Sequence, residues 1–144
     1  MKKTLVIDLE VHFPSAAKIF QGSDYFCPAL QPHQMQCLQP IPSATETEAR
    51  YGFLPFSRWE DLPENSYDRV VIVWPVQSFN DHGYTPNVEE RQEYFKDVYD
   101  RLKEYNISEY IYIDDSDRAI VKRGLDWLDV HGMQCDVVFK RECI

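Results

Sequence analysis

Apolar positions along the chain fall into four short blocks separated by longer polar stretches. "TLVIDL" (4–9), "YDRVVIVWPV" (67–76), "EYIYID" (109–114) and "CDVVFK" (135–140) are rich in β-branched and aromatic residues. All four read as strands, and the nearly continuous apolar character of 67–76 is that of a strand covered on both faces, as in parallel sheets. Between them the period changes from strand to helix. Val88, Phe95, Val98, Leu102 and Tyr105 share one helical face. That helix begins near Asn87, with Glu90 three residues on, the arrangement of a cap that satisfies first-turn amides. A second helix is capped by Ser116 or Asp117, turns Ile120, Val121, Leu125 and Leu128 inward, and ends at Gly132 as its left-handed residue. "SAAKIF" (15–20), after Pro14, reads as a short helix following the first strand.

Residues 27 to 66 break the pattern. They hold Pro28, Pro32, Pro40, Pro42, Pro55 and Pro63 around a polar "SATETEAR". The expectation there is a Pro-rich irregular insertion with at most a short strand and a helical turn. Strand and helix alternate elsewhere, which predicts an α/β fold: a single Rossmann-like domain over residues 1–144, with a mainly parallel sheet of four to five strands and helices on both faces.

Length agrees with one domain, because 144 residues that are 44% hydrophobic can bury one core and not two ordinary ones. The formal charge of −9 argues against a nucleic-acid partner, since such affinity comes largely from Lys and Arg displacing counterions. Cys27, Cys37, Cys135 and Cys143 lack C-x-x-C spacing, and the chain opens on no secretory signal pattern. A reducing cytoplasm is the expected compartment. No run has the apolar length that spans a bilayer, so no membrane role is expected.

In a parallel sheet the turns beyond the carboxyl ends of the strands share one rim, where ligands bind. Three turns supply candidates. The first offers Glu10, His12 and Ser15, the second Ser78, Phe79, Asn80, Asp81, His82 and Tyr84, and the third Asp114, Asp115 and Asp117. The connection 76–86 is longer than usual and mixes aromatic, amide, acid and imidazole groups, a composition found in binding loops and, for its Asn, Asp and Gly, also in solvated turns. The three aspartates suit a helix cap, where the macrodipole favours acids. Their mutual repulsion also suits a divalent cation or a raised pKa. His33 and His131 sit in the Pro-rich segment and near a helix end, and carry no site. Neither a dinucleotide fingerprint nor a P-loop is present.

Several pieces in order, "FPSAAKIF", "EDLPENSYDRVVIVW", "SFNDHGYTPN" and "IYIDD", resemble the N-terminal, acceptor-side half of the phage DNA β-glucosyltransferases, which are GT-B enzymes. The resemblance spans about residues 1 to 115 and implies a glucosyl transfer from a nucleotide-sugar. Asp115 matches the family's proposed catalytic base. Phe79 to Asn87 matches its F-x-G-G-type loop, making Ser78, Phe79, Asn80, His82 and Tyr84 substrate-binding. The donor-binding second domain is expected to be lacking, so the chain would not be active alone.

"IDDSDRA" is also similar to the D-x-D-R-A run of TOPRIM domains. That second resemblance implies a Mg²⁺-dependent phosphotransfer or nuclease domain in which Glu10, Asp115 and Asp117 carry the metal. A third reading belongs to another class: a non-catalytic or inhibitory protein on the same frame, binding a protein partner through its aromatic-rich, acidic surface.

Overall fold

The computed structural model describes residues 2–9, 20–30, 43–73, 88–114 and 122–140. Five parallel strands form one sheet: β1 (Thr4–Asp8), β2 (Asp24–Phe26), β3 (Arg69–Val73), β4 (Glu109–Asp114) and β5 (Val137–Lys140), in the order β2-β1-β3-β4-β5. Among the described residues three α-helices accompany them: α1 (Ala44–Tyr51), α2 (Val88–Leu102) and α3 (Lys122–Val130). The single Rossmann-like α/β domain expected from the sequence is what the chain forms, and its strand order is that of the flavodoxin-like doubly wound class.

The register shows why these segments are strands. Residues paired across a parallel sheet share a face, and successive residues alternate. Phe26, Ile7, Ile72, Tyr112 and Val138 therefore make one row across all five strands. The next position along, toward the carboxyl ends, places Asp8, Val73, Ile113 and Phe139 in a row on the opposite face. Leu5, Val6, Ile7, Val70, Val71, Ile72 and Val73 are wholly buried. Each such aliphatic side chain contributes about 1.5–3 kcal/mol relative to exposure, enough to fix the central register.

Helices lie on both faces. On the Ile7–Ile72–Tyr112 face, Phe95 of α2 meets Tyr112 at 6.1 Å between ring centroids and Trp127 of α3 at 6.1 Å, while Tyr99 meets Tyr110 at 5.3 Å. Phe95, Val98 and Leu102 are buried, as their helical spacing predicts. On the other face, Tyr51 of α1 packs on Tyr25 of β2 at 5.1 Å. α3 ends as expected at Gly132, which has φ 66°, with Met133 N–H reaching back to the Leu128 carbonyl.

The Pro-rich stretch holds more structure than an irregular insertion. "SATETEAR" is mostly helix: the Ser43 hydroxyl accepts from the Glu46 N–H at 3.2 Å, and Gly52 closes α1 at φ 83°. Beyond it, Phe56 bridges Phe26 in the parallel sense, extending the sheet at its β2 edge. Trp59 then packs against Phe26, with ring centroids 4.6 Å apart and the rings tilted by 38°. β2 itself was not expected, because a three-residue strand carries too little periodicity to be read. The helix expected over 15–20 lies outside the described residues except for Phe20, which is in a turn.

Tyr112 is fully buried, and its hydroxyl has no hydrogen-bond partner among the described residues. Removing a buried, unbonded hydroxyl relieves a desolvation cost, whereas removing a buried ring opens a cavity. Tyr112→Phe is therefore expected to leave the urea midpoint unchanged or raise it, and Phe95→Ala to cost about 3–5 kcal/mol; equilibrium unfolding of both variants measures the contrast.

Candidate functional site

The strand order reverses between β1 and β3. The chain leaves β1 toward β2 on one side and returns across β1 to β3 on the other, which opens a crevice at the carboxyl ends of these two strands. Those ends are level, because Asp8 pairs with Val73 and Val73 with Ile113. The segments that follow β1, β3 and β4 thus depart from one rim. Glu10, Ser78, Phe79, Asn80, His82, Tyr84, Asp115 and Asp117 lie on those segments, outside the described residues, as do His12, Ser15 and Asp81.

What the structure describes is the rim from which they start. Asp8, the last residue of β1, is wholly buried. The Tyr51 hydroxyl donates to its Oδ2 at 2.8 Å, and the Tyr25 hydroxyl approaches the same oxygen at 3.4 Å. Three elements therefore converge on one carboxylate: β1 supplies the acid, β2 one phenol, and the last turn of α1 the other. Burying a carboxylate costs several kcal/mol unless donors compensate, and phenol donors held by packing supply that compensation.

Asp114 ends β4 and is also wholly buried. It stands one residue past Ile113, so its side chain leaves the opposite face of the sheet from Asp8. The two backbones are about 10 Å apart, two strand spacings. A ligand addressing both acids must sit beyond the strand ends, in the crevice. Arg91 adds a cation at the same end of the molecule: it lies in the first turn of α2, the helix that starts after β3, and is only 3% exposed.

Sequence reasoning named Asp114 and passed over Asp8, Tyr25, Tyr51 and Arg91. Signals for two of them were present. Asp8 interrupts an otherwise apolar strand, and Arg91 sits three residues after Val88 and four before Phe95, on the helix's inner stripe. Both are charges at positions whose pattern calls for an apolar residue.

The buried acid perturbs its neighbours. Burial, with the nearby Asp8 charge adding to it, raises the phenols of Tyr25 and Tyr51 far above the ordinary tyrosine range. Burial also pushes the Cys27 thiol well up, with Asp8 reinforcing the shift and the Tyr51 hydroxyl partly offsetting it. A thiol so held is neutral and unreactive, which makes Cys27 a core residue and not a nucleophile. Among the described residues no three His, Cys, Asp or Glu side chains come together in a way that would hold a metal ion. No described helix is long and apolar enough to cross a membrane.

Tyr51→Phe removes the 2.8 Å donor from a wholly buried carboxylate and should lower stability by about 1–3 kcal/mol, read from the urea midpoint. Alkaline pH tests the same environment. Cys135 is pushed up to about 11 and Tyr110 to about 12, mainly by burial, and Tyr25 and Tyr51 higher still. The unfolded chain releases these protons first, near the ordinary values of about 8.5 for a thiol and about 10 for a phenol. The stability they contribute is therefore whole below pH ~8.5 and declines as pH rises toward the folded values. Melting temperature should fall steadily across that window and be flat just below it. Comparison with protein-family models, curated proteins and solved structures finds no significant match to this chain.

Proposed function

We propose that the carboxyl rim of the sheet is a site for Mg²⁺-dependent phosphoryl transfer. The observation that carries this reading is the burial of Asp8 and Asp114 at the ends of β1 and β4, on either side of β3 and beside the β1/β3 crevice. Acids are seldom wholly buried in a core of this kind, and two of them at one end of it support a role in binding.

Carboxylate oxygens are the donors that hard divalent cations take, and the sequence adds Glu10, Asp115 and Asp117 directly beyond these two strands. Bound there, Mg²⁺ would supply electrostatic stabilisation to a phosphoryl group in transfer. The chain's own residues have separate parts in this reading. Glu10, Asp115 and Asp117 hold the cation. Asp8 and its two phenols keep the end of β1 rigid behind Glu10. Arg91, a buried cation at the start of α2, suits the negative charge of a phosphoryl oxygen.

The glucosyl-transfer reading shares Asp115 but asks it to be a general base toward a hydroxyl, without a cation. The two are separable. Mg²⁺ or Mn²⁺ should raise the melting temperature of the wild-type chain and leave that of Asp115→Asn/Asp117→Asn unmoved. Calorimetric titration with UDP-glucose should be heatless. A wild-type melting temperature indifferent to both ions would overturn the proposal, and a saturable UDP-glucose heat in their absence would return the site to glucosyl transfer.

A further inference from the structure

On the α1 side of the sheet lies a cleft of about 320 Å³. Its lining combines the turn Phe20-Gln21-Gly22-Ser23 with Tyr25 and Phe53. The volume is at the lower end of small-molecule sites, which run from roughly 300 to 1,000 Å³.

The walls are held in place from several directions. Tyr25 belongs to β2, and its hydroxyl is drawn to Asp8. Phe53 follows Gly52, whose left-handed conformation ends α1 and turns the chain back over the sheet. Its ring stands edge-on to Tyr25, 5.9 Å away at 81°, and 6.1 Å from Tyr51. Phe20 lies under the Arg69 guanidinium at 6.0 Å, and Arg69 is itself fixed by its 2.6 Å bond to the Thr4 hydroxyl. The turn is closed by the Ser23 N–H on the Phe20 carbonyl, with Gly22 at φ 81°.

Phe53 remains 40% exposed despite these two ring contacts, and Leu54 beside it is 54% exposed. An aromatic ring held rigid and left partly open at the mouth of a cleft presents a surface on which another ring can stack. Among the described residues the lining is uncharged, and it matches a neutral occupant. Gln21 and Ser23 provide an amide and a hydroxyl, the donors and acceptors that read the edge of a heteroaromatic ring.

We propose that this cleft binds a neutral planar heteroaromatic ring of the nucleobase kind, stacked on Phe53 with its polar edge toward Gln21 and Ser23. The site shares Tyr25 with the Asp8 cluster but uses none of the rim's acids, and it stands whether or not the rim handles phosphoryl groups. Among the described lining residues none is a cation that would hold a phosphate, so the nucleoside is the ligand they match.

Saturation-transfer NMR on the full chain tests this with adenosine as the probe and free ribose as the control. Transfer should reach the purine protons of adenosine and leave free ribose untouched. Phe53→Ala should weaken adenosine binding by about tenfold or more, as loss of one stacking platform does. Phe53→Trp should retain it. If Phe53→Ala melts too early to compare, Phe53→Leu removes the ring while keeping apolar bulk, and should show the same loss. Absence of transfer to adenosine in the wild-type chain, or undiminished transfer in the folded Phe53→Ala or Phe53→Leu variant, would overturn the proposal.

Discussion

The bond between the Tyr51 hydroxyl and the Asp8 carboxylate ties α1, which is outside the sheet's ladder, directly to the end of β1. β1 is a central strand buried on both faces, so a charge at its last position has to be met by donors brought from elsewhere. Tyr51 is carried there by α1, and α1 is placed by the Ser43 cap at one end and the Gly52 turn at the other. Tyr25 arrives from β2, whose short length leaves it dependent on neighbours on both sides: β1 within the sheet and the Phe56 bridge at the edge. The acid thus organises the β2 side of the fold as well as occupying one wall of the crevice. An apolar residue at position 8 would ask for none of this.

Most of the frame was legible from the order of residues because the central strands are simple. Val70 to Val73 and Tyr110 to Ile113 are buried on both faces, and a strand so placed has to be apolar almost throughout, which is the strongest short signal a sequence offers. α2 was legible for a related reason, since only one stripe of it is buried. The β2 side was harder to read. A three-residue strand has no period to detect, and "SATETEAR" is largely polar and flanked by prolines, so no apolar stripe marks it as a helix. Thr47, a polar residue, is wholly buried there, and pattern reasoning treats such a residue as surface.

The candidate site divides along the same line. Its position at the carboxyl rim follows from the parallel arrangement alone, and the acids beyond β4 stood out as an unusual density of like charge. The buried members were hidden because they break the rule used to find the elements. Asp8 within an apolar strand and Arg91 on an apolar helical stripe are exceptions to burial patterns, and exceptions of that kind gather where binding and chemistry outweigh stability. Reading them as part of the site changes the picture from an acidic cap on one helix to a rim with charges contributed by β1, β4 and α2. The aromatic cleft on the α1 side shares Tyr25 with that rim, so the ring that walls one feature also supports the other.

Under the proposed function, a divalent cation binds at the carboxyl end of this sheet. Paramagnetic broadening of assigned amide resonances by sub-stoichiometric Mn²⁺ tests this most directly, because Thr4 and Leu9, like Glu109 and Asp114, stand five residues apart, roughly 16 Å along a strand, enough for the effect to fall off steeply. The account predicts strong broadening at Leu9 and Asp114, with Thr4 and Glu109 at the amino ends of β1 and β4 largely spared. Equal broadening at both ends, or none at Leu9 and Asp114, would contradict it.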